Sequence, residues 1–256
     1  SCVAEFTLAS CVIVKHGNPC GVAVAATIEE AYERALDSDP LSAYGGVVVL
    51  NRRVERTLGE RIAEQFVEVL LAPGFDEAAL DALREKPGTR IIADTERRRT
   101  NPGERDYRRV LGGLLVQDRD ADVDDREGMS VVCGSPSEGD WGNLLFAWRV
   151  CKHVASNAIV LAKGLATIGI GAGQQSRVDA VRLALEKARA HGHDLEGAVL
   201  ASDAFFPFPD GPELALDAGV TAIIQPGGSK RDDEVVEAVE NAGAAMIFTG
   251  RRHFRH

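Results

Sequence analysis

Long apolar runs are missing from this sequence. None approaches the roughly 20 residues that a membrane-spanning helix needs. The opening Ser1-Cys2-Val3-Ala4-Glu5-Phe6 has neither the basic start nor the apolar core of a secretory leader. Positive charge is short as well: the formal net charge is -10. That argues against nucleic acid as a general partner, because such binding rests on neutralising phosphates. The basic run Glu96-Arg97-Arg98-Arg99-Thr100 is set among acids and reads as a solvated loop. Cysteine pairing is also absent. The five cysteines, Cys2, Cys11, Cys20, Cys133 and Cys151, are odd in number and form no Cys-x-x-Cys pair. This excludes a zinc framework and suits reduced thiols in a cytoplasmic protein. Aromatics are scarce at 5%, so a cluster of them carries weight.

What is present has the balance of a soluble globular protein, 45% hydrophobic and 27% charged. A chain of 256 residues makes one large domain or two of ordinary size. Short apolar strands alternate with amphipathic helices, which predicts an α/β fold. The organising stretch is Cys11-Val-Ile-Val-Lys15-His16-Gly17-Asn18-Pro19-Cys20-Gly21. An apolar run enters a polar pair and then a turn signal. It reads as a core strand delivering side chains to a site at its carboxyl end, where open α/β sheets bind ligands. The competing reading is a solvated lysine beside a satisfied histidine. Gly45 and Gly46, ahead of the strand Val47-Leu50, allow either a close ligand approach or a packing bulge. Glu68, inside the apolar run Val67-Leu71, is either edge-facing or a ligand acceptor.

The acidic, turn-rich stretch from Asp118 to Gly139 predicts a boundary, giving domains 1–138 and 139–256. A helix from Gly142 to Val150 restarts the pattern. Lys152-His153 then echoes Lys15-His16 at an offset of 152 − 15 = 137 residues, which hints at duplication. In Thr167-Ile-Gly-Ile-Gly171-Ala-Gly173-Gln174-Gln175-Ser176-Arg177 a strand meets a glycine-rich turn and a helix. Its spacing is neither the Gly-x-Gly-x-x-Gly dinucleotide pattern nor a phosphate loop, which rules out a dinucleotide oxidoreductase. Arg177 opposes the helix dipole, so it reads as a ligand contact or as an exposed cation. Three of the nine Phe cluster in Ala204-Phe205-Phe206-Pro207-Phe208-Pro209-Asp210, a wall suited to a planar ring. The tail Arg251-Arg252-His253-Phe254-Arg255-His256 either frays or supplies cations to a phosphate.

Taken in order, Lys15-His16 with Asn18-Pro19-Cys20-Gly21, Leu41-Ser-Ala-Tyr-Gly45-Gly46, Ser156-Asn157, Gly169-Ile-Gly-Ala-Gly-Gln-Gln-Ser-Arg177, Ser202-Asp-Ala-Phe-Phe-Pro-Phe208 and Arg252-His-Phe-Arg-His256 resemble a known family. It is the transformylase part of the bifunctional purine-biosynthesis proteins, in which aminoimidazole carboxamide ribonucleotide (AICAR) transformylase is fused to inosine monophosphate cyclohydrolase. The resemblance covers essentially the whole chain. It implies two cytidine-deaminase-like three-layer αβα subdomains with mixed sheets, and a cyclohydrolase part outside this chain. The zinc signature of true deaminases is absent, so it implies a metal-free site.

By position, the resemblance makes His16 the base that removes a proton from the attacking amine, with Lys15 and Asn157 stabilising charge. Gly45, Glu68, Phe205, Arg252 and His256 would surround the ribonucleotide. Ser176, Arg177, Val178, Pro207, Phe208, Asp210 and Ser229 would surround 10-formyltetrahydrofolate, the formyl donor. The residue types suit the chemistry. An aromatic amine conjugated to a carboxamide is a poor nucleophile, and an imidazole can take its proton at neutral pH. The formyl oxygen gains negative charge during attack and needs a donor. The implied activity is formyl transfer to AICAR by a homodimer with shared sites. The alternative is a divergent fragment that binds folate or nucleotide without turnover.

Overall fold

A computed structural model describes residues 2–85, 88–96, 101, 103–120 and 126–255. After a 3-10 turn at Cys2–Glu5 come β1 (Ala9–Lys15), β2 (Asn18–Ala25), α1 (Ile28–Ser38), a short α2 (Pro40–Ala43) and β3 (Gly46–Leu50). Then follow α3 (Arg56–Ala63), β4 (Val67–Ala72), α4 (Glu77–Arg84) and β5 (Arg90–Ala93). A hairpin of β6 (Arg105–Val110) and β7 (Gly113–Asp118) stands alone, and β8 (Ser130–Cys133) leads into α5 (Glu138–Cys151). The second half is β9 (Ile159–Lys163), β10 (Ala166–Gly171), α6 (Arg177–Ala190), β11 (Ala198–Ser202), α7 (Asp210–Asp217), β12 (Val220–Gln225), α8 (Asp232–Asn241) and β13 (Ala245–Phe248).

Among the described residues eleven strands form one mixed sheet, ordered β5-β4-β3-β1-β2-β10-β9-β11-β12-β13-β8. Outward from its centre, β2-β1-β3-β4-β5 mirrors β10-β9-β11-β12-β13. Each half is an antiparallel hairpin followed by three parallel strands. β8 precedes the boundary expected at residue 139, yet it pairs with β13 at the far edge of the second half.

The halves are thus repeats, but not in the register that the Lys-His echo predicts. Lys152 caps the end of α5, whereas Lys15 ends β1. The structural counterpart of Lys15 is Lys163, which ends β9 at an offset of 163 − 15 = 148 residues. Both lysines donate to carbonyls in the segment before the third strand of their half: Lys15 to Tyr44 and Gly45, Lys163 to Glu196. The same offset relates Gly21 to Gly169. A Cβ on Gly21 would lie 1.9 Å from the Ala35 carbonyl oxygen, and one on Gly169 2.2 Å from that of Ala184. No side chain fits there, so α1 and α6 lie with their backbones against the hairpins.

Alternation decides which side chains are inside. Val48, Leu50 and Leu70 face a core with α1, α3 and α4, while Leu161 joins Leu200 and Ile223 against α6 and α8. On the opposite face α5 brings Trp141, Leu144 and Trp148 onto Val160, Val199 and Ile224. No helix among the described residues is long and apolar enough to cross a membrane.

The first turn is tied in by charge. Glu5 lies 3.0 Å from Lys152 Nζ and 2.9 Å from His153 Nε2. Burial raises its carboxyl, but the His153 hydrogen bond and the Lys152 ammonium outweigh that and hold it below its ordinary value of 4.5. A depressed folded-state carboxyl contributes stability above the unfolded value and loses it as pH falls through the folded one. Glu5→Gln is therefore expected to lower the urea midpoint at pH 7 and to flatten the acid limb below pH 4.5. An acid limb identical to wild type would remove Glu5 from the acid response.

Candidate active site along one rim of the sheet

Strand directions bring the predicted residues together. β1 runs antiparallel to β2 and β3, and β10 antiparallel to β2. β9 opposes β10 and β11. The carboxyl ends of β1, β10, β11, β12 and β13 therefore share one rim with the amino ends of β3, β4, β5 and β9. In the second half this rim carries the carboxyl ends of every strand of the repeat but β9. In the first half it carries only that of β1, because β3, β4 and β5 present their amino ends. At about 4.8 Å per strand, β1 and β11 lie four strands, or about 19 Å, apart along this rim.

Lys15 and His16 lie at the tip of a two-residue hairpin. Sequence reading placed a chain break at Asn18-Pro19. The structure instead continues into β2, with Lys15 paired to Asn18. His16 and Gly17 have φ of 50° and 95°, the sign pattern of a type I′ turn. Adjacent strand residues face opposite sides, but His16 has already left the strand, so it and Lys15 can serve one pocket. His16 is exposed. Lys15 Nζ bonds the carbonyls of Tyr44 at 2.8 Å and Gly45 at 3.1 Å. An ammonium has three hydrogens, so one remains for a ligand.

Gly45 has φ 65°, and a Cβ there would sit 3.3 Å from both Lys15 Nζ and the Phe66 ring. The glycine is needed for that approach, and its N–H donates to the Phe66 carbonyl at 2.8 Å. The Tyr44 and Phe66 rings meet at a tilt of 55° with centroids 5.7 Å apart and are 63% and 37% exposed. Sequence reading passed over this pair. Its only signal was a tyrosine beside the glycines and a phenylalanine opening a strand. Glu68, on the same rim, is half-buried and accepts from Arg90 at 2.7 Å.

The second half contributes a buried polar knot. Arg177 is 8% exposed, so it is not a solvent cation. Its guanidinium pairs with Asp203, bonds Ser202 Oγ at 2.8 Å and holds Asn157 Oδ1 at 2.8 Å. The Asn157 Nδ2 hydrogens go to the carbonyls of Gln174, at 2.9 Å, and Gln175, at 3.2 Å. The Asn157 amide is thus occupied by the protein and holds the turn before β9. Ser176 caps α6 through Asp179, and Val178 is half-buried in the first turn. The knot reaches the hairpin directly, because Asn18 Oδ1 accepts from Ala155 N at 2.8 Å.

The phenylalanine wall is smaller than expected. Phe206 is buried and its N–H is fixed by Gln225 Oε1 at 2.7 Å, Phe205 is half-buried, and Phe208 is 48% exposed with Arg231 over its ring at 4.9 Å. Pro207 lies exposed on the same loop, Asp210 lies exposed where α7 begins, and Ser229 Oγ accepts from Arg231 N at 3.1 Å. The tail is threaded rather than frayed. His253 N donates to the Asp203 carbonyl at 3.1 Å, and Ser156 N donates to that of Arg255 at 2.9 Å. The His253 ring is buried on Trp148, with Nδ1 2.6 Å from Asp120. Arg252 is thereby held at the rim, over the Phe254 ring. His256 lies outside the described residues. No group of three or more His, Cys, Asp or Glu among the described residues is arranged to hold a metal ion.

The fold and site define an α/β protein of two mirrored units with a polar site along one rim of their common sheet. Comparison with known proteins makes this specific. Residues 1–187 match the profile of the AICARFT/IMPCHase bienzyme family, and the chain belongs to that family. It is 50% identical to the bifunctional purine biosynthesis protein PurH of Persephonella marina over 99% of this chain and 49% of that protein. The PurH proteins of Cereibacter sphaeroides and Sorangium cellulosum are also 50% identical, over 99% of this chain and 50% and 48% of their own lengths. The chain therefore spans about half the length of these relatives. A solved Thermotoga maritima structure, a diaminohydroxyphosphoribosylaminopyrimidine deaminase/5-amino-6-(5-phosphoribosylamino)uracil reductase, is 25% identical over 38% of this chain and 31% of its own. Its TM-score of 0.29 is too low to carry an argument.

Proposed function

We propose that this chain is the transformylase part of the bienzyme and transfers a formyl group from 10-formyltetrahydrofolate to the 5-amino group of AICAR. One observation carries the reading: the hairpin pair Lys15-His16, Gly45, Glu68, the phenylalanine loop and Arg252 lie along a single rim, with the Lys-His hairpin bonded to the turn of the second half. In the reaction the amine nitrogen attacks the formyl carbon, and that N–C bond forms as the bond from the formyl carbon to N10 of the folate breaks. His16 takes the amine proton and returns it to the departing N10. The free Lys15 hydrogen faces the formyl oxygen as its charge grows. Tyr44 and Phe66 offer exposed aromatic faces beside Lys15 for the imidazole ring, and Arg252 offers a cation for the phosphate. Phe208, Pro207, Asp210 and Ser229 border the folate side. No metal takes part in this scheme.

The repeated β-β-α-β-α-β-α-β order supports reading the two mirrored halves as cytidine-deaminase-like units, with β8 on the second half's side of the boundary expected at 138/139. A cytoplasmic homodimer with shared sites belongs to the same reading. The isolated β6-β7 hairpin, with Tyr107, Leu111, Leu114 and Leu115 more than half exposed, supports a covering partner, since a lone hairpin is marginal in water. The test is release of tetrahydrofolate from 10-formyltetrahydrofolate on adding AICAR. Turnover that needs both substrates is expected. Folate binding without release would favour the binding-fragment reading instead.

A further inference from the structure

We propose that Asp203 is a positioning residue for this transfer: sealed from both substrates, it sets the Lys15-His16 hairpin against the folate-side loops. The inference rests on the transformylase reading above.

Asp203 is fully buried at 0% exposure, so it cannot touch a substrate. It nevertheless ties four segments together. Its carboxylate accepts from Arg177 in the first turn of α6 and from Ser156 in the turn before β9. Its backbone N–H donates to the Ala158 carbonyl at 3.2 Å, and its own carbonyl accepts from His253 of the tail at 3.1 Å. Arg177 passes the constraint to Asn157, whose amide fixes the 174–175 turn. Two residues earlier Ala155 N holds Asn18 Oδ1 at 2.8 Å, and Asn18 pairs with Lys15 across the turn that carries His16. Every link from Asp203 to His16 is a hydrogen bond or a chain neighbour. Through His253 the same residue also places Arg252.

A buried ion pair is a poor source of net stability, since apolar replacements of like shape often serve as well. What a carboxylate provides here, and an apolar side chain does not, is simultaneous fixed bonds to Arg177 and Ser156. Both lead to the turn that touches the catalytic hairpin. Each substrate would still find its own stretch of rim if the knot loosened. The loss would fall on their mutual placement, where a displacement of about 1 Å costs about 10²-fold in rate.

The experiment compares wild type, Asp203→Asn, Asp203→Asn with Arg177→Gln, and Ser156→Ala by tetrahydrofolate release and thermal melting. Asp203→Asn is expected to lower kcat about 10²-fold with KM for each substrate changed far less. The double variant relieves the unpaired buried cation, and it is expected to regain melting temperature without regaining kcat. Recovery of both together would show a mere counter-ion and overturn the proposal. Ser156→Ala removes one bond at little risk to folding and is expected to lower kcat about fivefold at normal melting. If Asp203→Asn does not fold, Ser156→Ala decides alone, and wild-type kcat in it overturns the proposal. A wild-type chain without formyl transfer would instead overturn the reading of the site, and the proposal with it.

Discussion

His16→Asn is expected to lower the rate of formyl transfer about 10²-fold or more, the usual contribution of a general base, while leaving the chain at least as stable. The two effects separate because His16 does two things. Its backbone, at φ 50°, forms the first central position of the β1-β2 turn. Its exposed ring does nothing for the turn. Asn followed by Gly is the favoured sequence of a type I′ turn, because Asn tolerates positive φ. The substitution therefore removes the base and keeps the hairpin that holds Lys15. His16→Ala should lose as much activity, but it also forces alanine into a conformation that costs about 1 kcal/mol, so its loss would be open to a structural explanation. Tetrahydrofolate release and urea midpoints measured on both variants check this. A near-wild-type rate in His16→Asn would make His16 a turn residue only.

Much of the fold is legible in the sequence where local chemistry and burial agree. α8 (Asp232–Asn241) opens on three acids, Asp232, Asp233 and Glu234, and buries Val235 and Val239 one turn apart. β3, β4, β11 and β12 coincide, within a residue or two, with runs of Val, Ile, Leu and Ala bounded by Gly or Pro. β2 was hidden because Asn-Pro-Cys-Gly has turn composition. Pro19 is tolerated since the β1-β2 register slips between Ile13 and Val14, and a bulge spares proline a ladder bond. β6 and β7 were hidden because both strands are exposed throughout, so no apolar alternation marks them. The Lys152-His153 echo misled because identical side chains are weaker evidence of a repeat than identical roles. Lys15 and Lys163 share a role, but their neighbours His16-Gly17 and Gly164-Leu165 do not match. In the site, the residue types and their order along the chain were legible. Whether a polar group was free was not. A cation in the first turn of α6 reads as exposed until Asp203, well downstream in sequence, is found beneath it.

That carboxylate makes Arg177→Met a severely destabilising change, at about 3–5 kcal/mol. Methionine refills much of the apolar stem of Arg177, so little of the loss comes from a cavity. The cost lies in what is left behind. Asp203, without exposure, keeps the Ser156 hydroxyl but loses its counter-charge, and the Asn157 oxygen loses its donor. Water cannot reach Asp203 to compensate. Removing the charge from both partners, as in Arg177→Met with Asp203→Leu, is expected to recover much of the loss, because a shape-matched apolar pair has no charge to desolvate. Urea unfolding at neutral pH measures both variants. A cost below about 1 kcal/mol for Arg177→Met would mean that the Asp203 carboxylate can be met from elsewhere, and the knot would then not be the anchor of the turn before β9. The double variant would still be expected to lose turnover, since stability regained through apolar packing restores neither the Ser156 nor the Asn157 bond that places the hairpin.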